Sequence, residues 1–179
     1  MVEKSLKTKY MIAEAGSDAD AGDESTNNIR GEQRGYELRA IWDYEYEWVK
    51  VFRAKDEALR EQIADFMERA VLNGYVGYAQ QNRGTLFNNI KNMDFRVELL
   101  NSPANCDCSS LTYCAIYAAT RIPFTEDVSI APITDTFETY LNTTGLFDDI
   151  TADDYLGKTD NLERGDILLE AGHHVAVYI

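Results

Sequence analysis

From Cys108 to about Thr120 the residues are small or apolar, reading Cys-Ser-Ser-Leu-Thr-Tyr-Cys-Ala-Ile-Tyr-Ala-Ala-Thr. A surface helix keeps a polar stripe toward water, so this composition suits a buried one. Leu111, Ala115 and Ala118 recur at i, i+4 and i+7, which is helical spacing. A helix is therefore expected over Cys108 to Thr120, with Pro123 stopping it.

The flanks supply what surrounds that helix. Lys9 to Ala15 reads as a short strand, and residues 16–35, rich in Gly, Asp, Ser and Asn, read as a loop. Tyr36 to Trp42 alternates with period two, with Leu38 and Tyr36 on one face and Glu37 and Arg39 on the other. Trp48 to Arg53 reads as a third strand. Asp56 opens a helix whose apolar face is Leu59, Ile63, Phe66, Met67 and Ala70, and Asn73-Gly74 ends it. Shorter helices are expected around Leu86 to Ile90 and from Thr134 to Leu141. Near the end, the Gly165-Asp166 turn leads into Ile167-Leu168-Leu169, and His174 to Ile179 is a strand. Sheet at both termini with helices between predicts an α+β fold in which the terminal strands pair.

The chain's 179 residues and 45% hydrophobic content fit one domain with a real core. Its 31 acidic against 17 basic side chains leave a net charge of −14, which repels phosphates. Nucleic acid and anionic membrane surfaces are therefore poor partners. No apolar run approaches the roughly 18 residues of a membrane span. The N-terminal Met1 to Lys7 has basic residues without an apolar run after them, unlike a signal peptide. Cys106, Cys108 and Cys114 make an odd, clustered set, which is no disulfide frame. Synthesis in a cytoplasm with reduced thiols is expected.

Cys108 stands in the first turn of the buried helix, where unpaired backbone N–H groups and the helix dipole favour a thiolate. Asp107 can cap the helix, and Ser109 and Ser110 are small enough to admit a substrate. His173 and His174, the 2 histidines of the chain, begin an apolar strand on a different element. Cysteine is also a common small buried residue, and a lone histidine more often serves structure. Brought together, though, Cys and His form the minimal dyad for acyl transfer. Cys106, Asp107, Cys108 and the two histidines are the residues that could in principle surround a zinc ion. A Cys-x-Cys spacing is not a zinc knuckle, and adjacent histidines on a strand project to opposite faces, so neither metal nor other cofactor is expected. Cys106 and Cys114 are read as structural and reduced.

Asp107-Cys108-Ser109-Ser110-Leu111, Arg164-Gly165-Asp166-Ile167-Leu168-Leu169 and His174-Val175-Ala176-Val177-Tyr178-Ile179 together resemble the NlpC-type family of papain-like cell-wall hydrolases. The family's Asp-Cys-Ser-Gly-Leu, Gly-Asp-Leu and His-Val-Gly-Ile-Tyr segments come in that order. Ser110 and Ala176 replace glycines of the pattern. The resemblance implies an antiparallel sheet packed on helices, Cys108 as nucleophile and His174 as general base, with His173 in reserve. Family members continue past the His strand into one that carries a third polar residue. Met11-Ile12-Ala13-Glu14-Ala15 resembles that strand, and segments from Ala21 to Arg53 resemble the part that closes the domain in phage lysins of this family. A circular permutation is inferred, with Glu14 as third catalytic residue. Gly77-Tyr78 and Arg83-Gly84-Thr85-Leu86 also resemble the permuted phage branch, implying that Tyr78 reaches toward the scissile carbonyl.

On this mapping a single catalytic domain spans residues 1–179. Residues 1–53 are permuted closing strands, 54–121 the helical part with the nucleophile, 122–163 a variable insert and 164–179 the His-bearing strands. The implied activity is hydrolysis of a peptidoglycan amide, in the stem peptide or at the muramoyl–L-alanine junction, by a phage or prophage lysin. Such a lysin is made in the host cytoplasm and acts on the wall after release, with peptidoglycan fragments as its partners. The rival readings are a non-catalytic phage structural or interaction module and a papain-like amidase acting on a protein or small amide.

Overall fold

Alternating segments from opposite ends of the chain lie side by side in one sheet. The structure, a computed structural model, describes residues 12–15, 38–41, 48–152 and 161–179. The expected loop of residues 16–35 lies outside these, as do the facing of residues 36–39 and the strand ends at 9–11, 36–37 and 42.

Strands β1 (Ile12–Ala15), β2 (Leu38–Ile41) and β3 (Lys50–Ala54) precede helix α1 (Glu57–Leu72). β4 (Val76–Tyr78), α2 (Thr85–Ile90) and β5 (Ala104–Cys106) lead to α3 (Cys108–Thr120). α4 (Thr134–Thr144), β6 (Phe147–Asp149), β7 (Ile167–Glu170) and β8 (His174–Tyr178) complete the order. Among the described residues one antiparallel sheet runs β2-β1-β8-β7-β3-β6. β4 and β5 form a separate parallel pair. The expected α+β class and the pairing of terminal strands are both present, Ile12 lying opposite Tyr178 and Ala13 opposite Val177.

Strand alternation divides the sheet's buried residues between two clusters. Ala13, Ala15, Phe52, Ile167, Leu169, Val175 and Val177 join the main core with the apolar faces of α1 and α3. Ile12, Trp48, Val51, Leu168, Ala176 and Tyr178 form a second cluster on the other face. By the same alternation Glu14 falls in line with Ile12, and His174 with Ala176 and Tyr178.

Helix α1 starts where expected, the Asp56 carboxylate accepting from the Ala58 amide at 2.9 Å. α3 packs against α1 and β8 and is buried from Cys108 to Ile116, as its composition requires. It ends at the expected residue, though not by the expected cause. Thr120 is the last helical residue and Arg121 takes a left-handed conformation at φ 59°, so the helix ends before Pro123 can act. β4, β5 and β6, three residues each, were not foreseen, and α4 runs three residues past Leu141.

Two anchors hold the β7–β8 hairpin. Arg53 on β3 donates to both oxygens of the fully buried Asp166 carboxylate, at 2.8 and 2.6 Å. Gly165 has φ +90°, and a Cβ there would fall 2.4 Å from the Arg60 carbonyl oxygen of α1. The Gly-Asp turn therefore has a packing reason for each of its residues.

Segment 122–133, opaque in sequence, is tied to the aromatic core. The buried Tyr113 hydroxyl donates to the Val128 carbonyl at 2.8 Å, and Tyr140 donates to that of Ile122 at 2.9 Å. These bonds carry the chain round to the start of α4.

Candidate active site

Cys108 opens α3 behind a complete capping box. The Ser110 amide donates to Asp107 Oδ1 at 2.7 Å, and the Asp107 amide to Ser110 Oγ at 2.8 Å. Ser110 thus closes the cap. The Asp107 side chain is nearly buried and is also held by Arg83, whose Nε donates to Oδ2 at 2.6 Å. The first turn is fixed in place, with backbone N–H groups still directed along the helix start.

His174 begins β8, and its Nε2 donates to Glu14 Oε2 at 2.6 Å. Glu14 is fully buried on β1. The shared sheet face dictated by alternation accounts for the meeting of these two residues. Cys108 lines the same cleft as the imidazole and, with Glu14, acts on its proton affinity. Burial alone pulls the His174 pKa down, but the hydrogen bonds and negative charges of Cys108 and Glu14 outweigh it and raise it from 6.5 to about 9. Trp48 stacks on the same ring, centroids 5.9 Å apart and planes 27° apart. An aromatic face over an imidazolium favours the charged form.

Tyr78 reaches this place through β4. It lies opposite Cys106 in the β4–β5 ladder, and the Ala79 amide donates to the Cys106 carbonyl at 3.0 Å. Two residues further on is Cys108. A cleft of about 250 Å³ opens over the group, lined by Tyr78, Cys108, Ser109, Ile133, His173 and His174 among others. Three of the four residues singled out from sequence, Tyr78, Cys108 and His174, thus line one cleft, and the fourth, Glu14, backs it. His173 departs from expectation. It sits in the turn before β8, its amide donating to the Glu170 carbonyl at 3.0 Å, so strand alternation does not turn it away and it too lines the cleft.

Sequence reading missed Trp48 as a neighbour of the histidine, and Ile133 and Thr134 as residues lining the cleft. The turn carrying His173 rests on that side as well, because a Cβ on Gly172 (φ +82°) would come within 2.9 Å of Asp135 Oδ1. Cys106 and Cys114 are free thiols and buried. Burial pushes both well up, far from reactive thiolates. Among the described residues no three His, Cys, Asp or Glu side chains gather as a metal site, and no helix is long and apolar enough to cross a membrane.

The family model of the endolysin-like domain matches residues 12–179, from the first residue of β1 through the end of β8. The chain belongs to the endolysin-like domain family. Neither the curated proteins nor the solved structures contain a match to it. The stretch matched to the endolysin-like domain includes Glu14, Tyr78, Cys108 and His174, so every element that builds the cleft is part of the family unit.

Proposed function

We propose that this endolysin-like domain hydrolyses an amide of peptidoglycan through a thioester on Cys108. The observation that carries the reading is the convergence of Cys108, His174 and Glu14, from three separate elements, on one cleft at the start of a buried helix. The Cys108 thiolate attacks the carbonyl carbon and the carbonyl π electrons move onto oxygen. Backbone N–H groups at the start of α3, with Tyr78, stabilise that oxyanion. Collapse breaks the C–N bond while the His174 imidazolium gives its proton to the leaving amine. The neutral imidazole then takes a proton from water, whose hydroxide equivalent attacks the thioester and frees Cys108. Glu14 keeps the ring oriented and offsets its charge throughout. None of these steps calls for a metal or organic cofactor.

In this reading the domain is a circularly permuted, papain-like hydrolase of the NlpC type, residues 1–53 being closing strands moved to the front. The pairing of β1 with β8, and the position of Glu14 beside His174, support that order of segments. The amide is in the stem peptide or at the muramoyl–L-alanine junction, the substrate class of the resembled family. The setting is a phage or prophage lysin that meets the wall after leaving the producing cytoplasm.

The test is digestion of purified peptidoglycan and soluble muropeptides, read by mass spectrometry for new amino and carboxyl ends, with parent protein and Cys108→Ala compared. New ends made only by the parent support the proposal. No cleavage, with Cys108 still labelled selectively by iodoacetamide at pH 6, would move the activity to another amide. No cleavage and no selective labelling would leave the interaction-module reading.

A further inference from the structure

Arg83 lies at the close of a short 3-10 turn (Gln80–Asn82), away from the three residues that converge on the amide. Its guanidinium nevertheless touches both sides of the cleft. On one side Nε and Nη2 donate to Asp107 Oδ2 and Oδ1 at 2.6 and 3.2 Å, and Nη2 donates to Ser109 Oγ at 2.6 Å. On the other, Nη1 donates to the Ala131 carbonyl at 3.1 Å and Nη2 to the Pro132 carbonyl at 2.7 Å. Asp107 and Ser109 flank Cys108, while Pro132 is followed by Ile133 and Thr134, which line the same cleft.

We infer that Arg83 is a positioning residue that holds the helix start bearing Cys108 and the Ile133–Thr134 wall at a fixed separation, and so sets the width of the substrate cleft. A guanidinium is planar and offers five N–H donors in a rigid fork. Held by a carboxylate on one edge, it has its remaining donors fixed in direction, and two consecutive carbonyls accept from them. The wall is therefore placed in both distance and orientation. Segment 122–133 has no sheet partner of its own, so this bridge places it relative to the cleft together with the Tyr113–Val128 and Tyr140–Ile122 bonds. The two contacts act on different quantities. The Asp107 and Ser109 bonds keep the Cys108 amide where an oxyanion would form, which bears on kcat. The Ala131 and Pro132 bonds keep the Ile133–Thr134 wall against the substrate, which bears on KM.

The inference rests on the hydrolase reading for its kinetic arm only. Arg83→Lys keeps a charge for Asp107 but cannot reach both carbonyls, whereas Arg83→Gln loses the charge as well. For Arg83→Lys we expect KM to rise about tenfold with kcat within about threefold of the parent. For Arg83→Gln we expect a further fall of about 10²-fold in kcat, the scale of a 1 Å misplacement. Hydrogen exchange needs no substrate. In Arg83→Lys, the Ile133 amide, which donates to Thr136 Oγ1 at 3.1 Å, should exchange at least tenfold faster while the amides of residues 109–112 keep parental protection. Equal exchange at Ile133 in parent and Arg83→Lys would overturn the clamp, and so would an Arg83→Gln protein of parental melting temperature, kcat and KM. If Arg83→Gln does not fold, Arg83→Lys decides. If the parent cleaves no peptidoglycan, the peptidoglycan reading falls and exchange alone judges the clamp.

Discussion

His174 Nε2 lies 2.6 Å from Glu14 Oε2, a contact between residues 160 positions apart. Glu14 is fully buried, and its charge is one of the forces that keep the imidazolium protonated. Glu14→Gln preserves shape but removes that charge and allows the wrong ring tautomer. The expected loss is on the order of 10²–10⁴-fold in kcat, with the alkaline limb of the kcat/KM profile displaced to lower pH. A profile of kcat/KM against pH for both proteins reads the two effects together. A Gln variant with parental height and parental limb would remove Glu14 from the site.

The raised pKa of His174 also makes stability depend on pH. Because the folded value, about 9, lies above the ordinary 6.5, the folded state binds the proton more tightly than the unfolded chain. The resulting stabilisation is fully present below about pH 6.5 and is lost as pH rises through about 9. Thermal unfolding followed from pH 6 to 10 should show the melting temperature falling across that window. His174→Gln should flatten the fall, and an unflattened curve would assign it to other groups.

What could be read in the sequence follows from the range of the interaction that fixes each feature. The α3 helix was legible because burial on all sides forces a local composition, small and apolar from Cys108 onward. The pairing of the termini was legible because short, largely apolar strand-like runs stand at both ends and leave β1 and β8 as natural partners. β4 and β5 were not, since three residues are too few to display a period and their parallel pairing is set by register with distant chain. The end of α3 falls at Thr120 as expected, but its stop does not come from the visible breaker Pro123: the left-handed turn at Arg121 carries no glycine to announce it. At the site, Cys108 and His174 each sit in a recognisable segment. Arg83 reaches acceptors 24, 48 and 49 positions away, and no local pattern records such contacts.

Chemistry and stability separate within α3 itself. Cys108 is at the cleft, whereas Leu111, one turn later, is fully buried in the main core. Cys108→Ala removes one sulfur atom and leaves the capping box intact. It should abolish hydrolysis with little change in melting temperature. Leu111→Ala opens a cavity in the core and should cost about 2–5 kcal/mol of stability. Its turnover per folded molecule should stay close to parental. Denaturant unfolding beside an activity assay distinguishes the two, and a Cys108→Ala protein with full activity would overturn the nucleophile assignment.

Trp48 offers the last separation, between the shape and the electrostatics of the histidine's setting. Its ring stacks on His174 at 5.9 Å, and its body fills the second cluster with Ile12 and Tyr178. Trp48→Phe keeps an aromatic face with a weaker quadrupole attraction, so the alkaline limb of the pH profile should move down slightly and stability should change little. Trp48→Leu fills much of the same space without a π face. It should move the limb further and lower kcat several-fold, on the order of 1 kcal/mol, because the imidazolium loses both stabilisation and a surface that fixes its plane. Profiles measured for parent, Phe and Leu proteins should therefore rank in that order. If Phe and Leu variants behave alike, the ring acts through volume only, and the stacking contributes nothing to holding the proton.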